Sequence, residues 1–241
     1  MNLVIDVGNS FFKIAVFDSF DLIVKYDLSK FDKIDIYEII NNYPINSSII
    51  SNVSQIDNDI LNYLNIKTNL FLLTHKLKLP FKNLYKTKKT LGQDRLGLIS
   101  SSCFEFPNEN VLVIDAGSCI TFDFKNHKNE YLGGSISPGI SMRFKSLNSF
   151  TTNLPLVSID NFDNLFGNDT KSSIQSGVIN GVVSEIEGVI DKYNVMFENI
   201  KIILTGGDTK FLLKRIKNTI FADQNFLLKG LNNLLQVNKK K

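Results

Sequence analysis

The residues of this chain that could do chemistry sit in two copies of one turn and in one tetrapeptide. The first copy reads Leu3-Val4-Ile5-Asp6-Val7-Gly8-Asn9-Ser10 and the second Leu112-Val113-Ile114-Asp115-Ala116-Gly117-Ser118, each followed by another apolar stretch. A strand rich in Val, Ile and Leu carries the Asp to a fixed place, and Gly removes the side chain that would keep a phosphate from the backbone amides. Asn9, Ser10 and Ser118 add short donors. Successive N–H groups in a tight turn cradle an anion, while the carboxylate, which would repel phosphate directly, can hold a cation that phosphate also binds. Either copy alone is equally a hairpin turn. Two copies, each flanked by strands, point to phosphate chemistry on a duplicated domain.

The tetrapeptide is Gly92-Gln93-Asp94-Arg95, followed by Leu96, Leu98, Ile99 and Cys103 at helical spacing. It therefore sits at a helix N-terminus. Capping explains an Asp there, because the dipole and the free amides favour it. Arg95 opposes that dipole. An arginine fork beside a carboxylate suits bidentate binding of a substrate carboxylate and leaves Asp94 to take a proton. Two glycine-rich stretches follow. Tyr131 to Gly139 is a strand edge running into a turn, where glycines admit a ligand or another strand and Pro138 can open a helix. Thr205-Gly206-Gly207-Asp208 ends a strand and can accommodate a flat base or a ribose.

The elements that must position these residues follow from periodicity. Leu3 to Val16 and Ile23 to Leu28 read as strands of a meander, and Ile36, Ile39, Ile40 and Tyr43 line one helix face that Pro44 closes. Strands over 48–53 and 70–74 enclose a helix over 56–64. Alternation of this kind gives a sheet with covering helices. From His75 to Lys89 the regularity stops, and six lysines surround Pro80, Phe81 and Tyr85. That loop is either a solvated connection or an electropositive lid over an anionic substrate. Residues 170–193 make the longest helical pattern, with Ile174, Val178, Val182, Ile186, Val189 and Tyr193 on one face. Gly177 and Gly181 each cost that helix about 1 kcal/mol relative to Ala, which close packing of another element would explain. A strand over 200–204 and a helix over 226–235 complete the chain.

Composition bounds the function. Length 241 allows one large domain or two of ordinary size, and the duplicated turn favours two, expected over 1–109 and 110–241; 43% hydrophobic residues are ample for a packed core. A net charge of +3 is too mild to argue for nucleic acid, and no apolar run reaches a membrane span. Cys103 and Cys119 have no metal or redox spacing, and no secretory pattern opens the chain, so a reducing cytoplasm is the expected compartment.

The order of these motifs resembles the acetate and sugar kinase, heat-shock-70 and actin superfamily. With Gly92-Gln93-Asp94-Arg95 between the two turns and Gly133-Gly134-Ser135-Ile136-Ser137-Pro138-Gly139 after the second, nearly the whole chain resembles type III pantothenate kinase. The resemblance implies an α/β chain of two ribonuclease-H-like domains, mixed sheets with flanking helices in an actin-like kinase fold. It implies ATP-dependent phosphorylation of pantothenate to 4'-phosphopantothenate, the first step of coenzyme A biosynthesis. Its ATP-phosphate segment falls on Asp6, Val7, Gly8, Asn9, Ser10, Phe11, Phe12 and Lys13, with Asp6 acting through Mg²⁺, and its second phosphate hydroxyl on Ser118, where Thr is more usual. Its pantothenate residues match Tyr85, Gly92, Gln93, Asp94 and Arg95, with Asp94 as the catalytic base. Asp115 matches the ligand of a monovalent cation, K⁺ or ammonium, and Thr205, Gly206, Gly207 and Asp208 match the adenosine turn. Thr170 matches a pantothenate contact supplied by the neighbouring subunit, so a homodimer with shared sites is expected. Where the family often has Asn-Pro after the Tyr, this chain has Thr87-Lys88. The alternatives are a sugar or acetate kinase of the superfamily, which the short chain and Gly-x-Asp-Arg oppose, and a non-catalytic regulator. Intact Asp6, Asp94 and Asp115 oppose the regulator, because a retired site would shed carboxylates that cost stability when buried.

Overall fold

The structure is a computed structural model that describes residues 1–8, 12–30, 32–51, 56–160 and 162–239. The chain divides into two compact units, the first comprising 1–108, 125–133 and 225–241 and the second 109–124 and 134–224. Relative to a cut at 109/110, residues 125–133 and 225–241 therefore group with the first unit.

In the first unit, β1 (Asn2–Val7), β2 (Phe12–Asp18) and β3 (Asp21–Leu28) form an antiparallel meander. β1 also pairs in parallel with β4 (Ser47–Ile50), and β4 with β5 (Asn69–Leu72), giving the order β3-β2-β1-β4-β5. Strand alternation sorts the side chains. Leu3, Ile5, Val7, Ile14 and Val16 turn to one face, where they pack with Ile36 and Ile39 of α1 (Lys33–Asn42) and Ile60 and Leu64 of α2 (Asn58–Lys67). Each such fully buried side chain contributes about 1.5–3 kcal/mol. Asp6 falls on the opposite face by the same alternation. Both helices begin on an aspartate cap, Asp32 and Asp57, and α1 stops at Asn42 just before Pro44. The helix expected over 56–64 begins and ends slightly later, and of the strand expected over 48–53, Asn52 and Val53 lie outside the described residues.

The 75–89 stretch is less irregular than its composition suggests. It contains β6 (Lys82–Asn83), which pairs in parallel with Glu130 and Tyr131, the start of β9 (Glu130–Pro138). The Gly92–Arg95 tetrapeptide opens α3 (Gln93–Glu105), as expected. The last helix, α7 (Phe226–Lys239), is longer than expected and lies against α3 at a close crossing, where a Cβ on Gly230 would collide with the Gly97 carbonyl.

In the second unit, β7 (Val111–Ala116), β8 (Cys119–Lys125) and β9 lie side by side, and β10 (Lys201–Thr205) and β11 (Phe221–Ala222) extend the sheet from β7 in the order β11-β10-β7-β8-β9. β9 runs straight through Pro138, so that proline ends a strand. The next helix, α4 (Ile140–Ser149), starts after Gly139 instead. α5 (Thr170–Met196) spans 27 residues and lays Ile174, Val178, Val182, Ile186 and Ile190 on Leu112, Ile114, Phe122 and Phe124 of the sheet. The short α6 (Thr209–Leu213) follows the glycine turn after β10. Among the described residues, no helix is long and apolar enough to cross a membrane.

Candidate active site

The first unit holds Asp6, Lys13, Tyr85 and the Gly92–Arg95 tetrapeptide. Asp6 is only 7% exposed, stands opposite Lys13 in the β1–β2 register, and accepts a 2.6 Å hydrogen bond from Ser51 Oγ. The same Ser51 oxygen accepts from the Val7 N–H at 3.2 Å. Burial raises the Asp6 carboxyl above the usual carboxylate range, against the opposing pull of the Ser51 hydroxyl and the Lys13 charge, while the negative charge of Asp94 adds to the rise. Gly8 and Phe12 are half-buried beside it in sequence, whereas Asn9, Ser10 and Phe11 lie outside the described residues. Ser51 was not foreseen. It is placed by parallel pairing of β1 with β4, which no local pattern encodes.

Asp94 is exposed in the first turn of α3, and its Oδ1 accepts from the Arg95 N–H at 2.8 Å. That oxygen lies so close to the Gly92 Cα that any Cβ there would collide with it. Gly92 is the cap residue, and the exposed carboxylate folds back over the space its missing side chain leaves. Arg95 is 4% exposed, and its guanidinium carbon lies 5.6 Å from the centre of the Tyr85 ring. Tyr85 stacks in turn on Tyr131, with centroids 6.0 Å apart and planes 15° off parallel. The backbone opposite Tyr85 is Gly133 at φ 117, a left-handed value that suits glycine. Gln93 is half-buried, and Lys76, Lys78, Lys82, Lys86, Lys88 and Lys89 are all exposed.

The second unit brings Asp115 and the Thr205–Asp208 turn together. Asp115 pairs with Thr205 in the β7–β10 register, and a Cβ on Gly206, whose φ is 97, would collide with Asp115 Oδ1 and the Ala116 carbonyl. The turn is closed by Asp208 N–H donating to the Ala116 carbonyl at 3.0 Å and by Thr209 Oγ1 donating to the Gly206 carbonyl at 2.8 Å. Burial raises the Asp208 carboxyl. Ser118 is exposed at the tip of the second Asp-x-Gly turn. The glycines of the 133–139 stretch divide in role: Gly134 and Gly139 press on the Phe122 and Gly117 carbonyls, so a neighbouring strand and turn fill the space that a ligand could have claimed. Among the described residues, no group of three His, Cys, Asp or Glu forms a metal cluster. A lone carboxylate, Asp115, near the Ala116 carbonyl offers oxygen ligands that suit a hard cation and not a transition metal.

Thr170 lies elsewhere in this unit. It follows the Asp169 cap, whose carboxylate accepts from Ser172 N–H in a capping box, so Thr170 is not itself the cap. It is exposed and lines a cavity of about 850 Å³ with Arg143, Leu147, Ser173, Ile174 and Gly177, which neither Asp115, Ser118 nor the Thr205–Asp208 turn lines. Among the described residues no other helix packs on Gly177 or Gly181: a Cβ at either would meet nothing within 4 Å.

Two mixed α/β sheets with helices, carrying an Asp-x-Gly turn in each unit, are the architecture of the actin-like kinases. A 2-dehydro-3-deoxygalactonokinase assignment from Sinorhizobium meliloti shares this fold with a TM-score of 0.58 at 11% identity, covering 98% of both chains. A Baf-family protein from Campylobacter jejuni, described as a transcriptional activator, does so with a TM-score of 0.60 at 24% identity, over 99% of this chain and 100% of that one. The type III pantothenate kinase profile matches residues 2–192, and the type III pantothenate kinase of Christiangramia forsetii is 48% identical over 241 residues, 99% of each chain. The chain belongs to the type III pantothenate kinase family, and it is an enzyme of the kinase class.

Proposed function

We propose that this protein transfers the γ-phosphoryl group of ATP to the primary alcohol of pantothenate, giving 4'-phosphopantothenate for coenzyme A synthesis. The observation that carries the reading is Asp94, an exposed carboxylate folded over Gly92 next to the buried, aromatic-backed Arg95. Such a pair offers a proton acceptor and a carboxylate anchor at adjacent residues. In the reaction the alcohol oxygen forms a bond to Pγ as the bond from Pγ to the ADP oxygen breaks, and the alcohol proton passes to Asp94. Positioning and charge neutralisation supply most of the rate in such transfers. Arg95 pairs with the pantothenate carboxylate and Tyr85 backs the guanidinium. The segment from Asp6 to Lys13 serves the phosphates of the MgATP substrate, with Asp6 on the Mg²⁺ side, and Ser118 supplies a further hydroxyl. The Thr205–Asp208 turn serves the adenosine. The substrates are intracellular metabolites and both cysteines are free, which agrees with a cytoplasmic protein. ADP release should depend on pantothenate and not be evoked by glucose or acetate. Sugar turnover without pantothenate turnover would reject the assignment.

Asp115 is proposed to hold K⁺ or ammonium, on the strength of its place against the Gly206 turn. Exchanging K⁺ for Na⁺ at constant ionic strength should slow the enzyme, and Asp115→Ala should abolish that response. A wild type indifferent to the cation would give Asp115 another role.

The working unit is proposed to be a homodimer in which Thr170 reaches the partner's pantothenate. The exposed row of Thr170, Ser173, Gly177 and Gly181 on α5, where a Cβ on either glycine would meet nothing within 4 Å among the described residues, supports it. Coexpressing Asp94→Asn with Thr170→Ala, each impaired alone, should restore roughly a quarter of wild-type activity for random pairing, because half of the sites in mixed dimers are intact. No recovery from proven mixed dimers would place Thr170 in its own subunit's chemistry or in none.

A further inference from the structure

We propose that Lys125 is a positioning residue for the acceptor half of the site, one ammonium that ties the far end of α3 to the hairpin behind Tyr85 and so sets Arg95 against its aromatic backing. The inference rests on the pantothenate reading above. Lys125 is 0% exposed in the first unit. Its Nζ donates to the carbonyl oxygen of Phe106, the C-cap of α3, at 2.7 Å, and to Asn129 Oδ1 at 2.7 Å.

Each bond leads to one wall of the site. A cation at the α3 C-terminus satisfies a carbonyl the helix cannot and meets the negative end of its dipole. The same helix presents Asp94 and Arg95 at its other end. Asn129, held at φ 52, sits in the turn that leads into β9, and its own carbonyl accepts from the Lys82 N–H of β6 at 2.9 Å. Leu84 N–H then donates to the Tyr131 carbonyl at 3.0 Å, and the next residue is Tyr85, stacked on Tyr131. Phe106 and Asn129 thus share one donor, and the helix with Arg95 and the segment that follows β6 and carries Tyr85 are registered through it.

Stability alone would favour an apolar residue here, since burying an ammonium costs several kcal/mol before its hydrogen bonds offset it. Neighbouring Cys103 on α3 is no alternative anchor: burial pushes its thiol up to about 11, the Lys125 charge opposing, so it stays neutral.

The test compares Lys125→Met and Asn129→Gly with Ile14→Val, a core change on the α1 and α2 side of the first sheet that costs stability without touching this link. Steady-state KM values for pantothenate and ATP are read together with hydrogen exchange of the substrate-free protein at residues 92–96. Lys125→Met should raise the pantothenate KM about tenfold or more, leave the ATP KM within about twofold, and speed exchange at 92–96. Asn129→Gly should shift the same quantities less, and the double variant should be less than additive. If the KM ratio and the exchange at 92–96 match those of Ile14→Val, Lys125 is a core residue only and the inference fails. Should Lys125→Met not fold, Asn129→Gly decides alone, an unchanged KM ratio and unchanged exchange overturning the inference. If the wild type does not use pantothenate, the functional reading falls, while exchange at 92–96 still decides whether Lys125 sets this wall.

Discussion

An Asp94→Asn enzyme should keep its fold and its affinity for ATP while losing on the order of 10²-fold or more in kcat, the usual effect of removing a positioned base. The geometry makes the substitution clean. Asp94 is exposed, and the bond it accepts from the Arg95 N–H can be accepted equally by an amide oxygen, so neither the start of α3 nor Arg95 needs to move. The pantothenate KM should therefore change far less than kcat. Comparable losses in both would mean that Asp94 binds the acceptor and does not take its proton. Unchanged kcat would remove it from the chemistry.

Asp6→Asn should act in two directions at once, abolishing most turnover and making the protein more stable. Asp6 is a carboxylate held in a buried place by Ser51 and Lys13, and burial raises its pKa above that of the unfolded chain. A group raised in this way makes a favourable contribution only at acid pH, and that contribution is lost as pH rises from the unfolded pKa through the folded one. At neutral pH the charge is therefore a cost. Asparagine keeps an acceptor for Ser51 and removes the charge, so the melting temperature at pH 7 should rise above that of the wild type. The gain should shrink as pH falls through the folded pKa of Asp6. A variant that is inactive but no more stable at pH 7 than the wild type would contradict the electrostatic account of this carboxylate. A gain in stability with full activity would give Asp6 a non-catalytic role.

What could be read from the sequence was local. The two Asp-x-Gly turns, the helix start at Gly92 and the glycine turn at 205–208 each declare themselves within a few residues, through an apolar run, a carboxylate and a residue without a side chain. The second α5 expectation, close packing at Gly177 and Gly181, came from the same local logic. The folded chain leaves both open, because the propensity cost of glycine says that something needs the space and not which molecule supplies it. Partners brought by sheet register were not legible. Ser51 reaches Asp6 across 45 positions because β4 lies beside β1, and Gly206 reaches Asp115 because β10 lies beside β7. The final helix was expected as an element, yet its place against α3 depends on Gly230 meeting Gly97, a pairing that neither segment announces. Lys125 is one more lysine in a lysine-rich chain as far as sequence goes, and its hydrogen bonds to the Phe106 carbonyl and Asn129 Oδ1 depend on the fold.

Phosphorus NMR of the reaction mixture distinguishes transfer to the primary alcohol oxygen of pantothenate from every other fate of the γ-phosphoryl group. Incubated with ATP, Mg²⁺, K⁺ and pantothenate, the wild-type protein should produce ADP and a single phosphomonoester on the primary alcohol of pantothenate in equal amounts, and Asp94→Asn should produce neither at a comparable rate. ADP accompanied only by inorganic phosphate, or no nucleotide turnover at all from folded protein, would contradict that transfer.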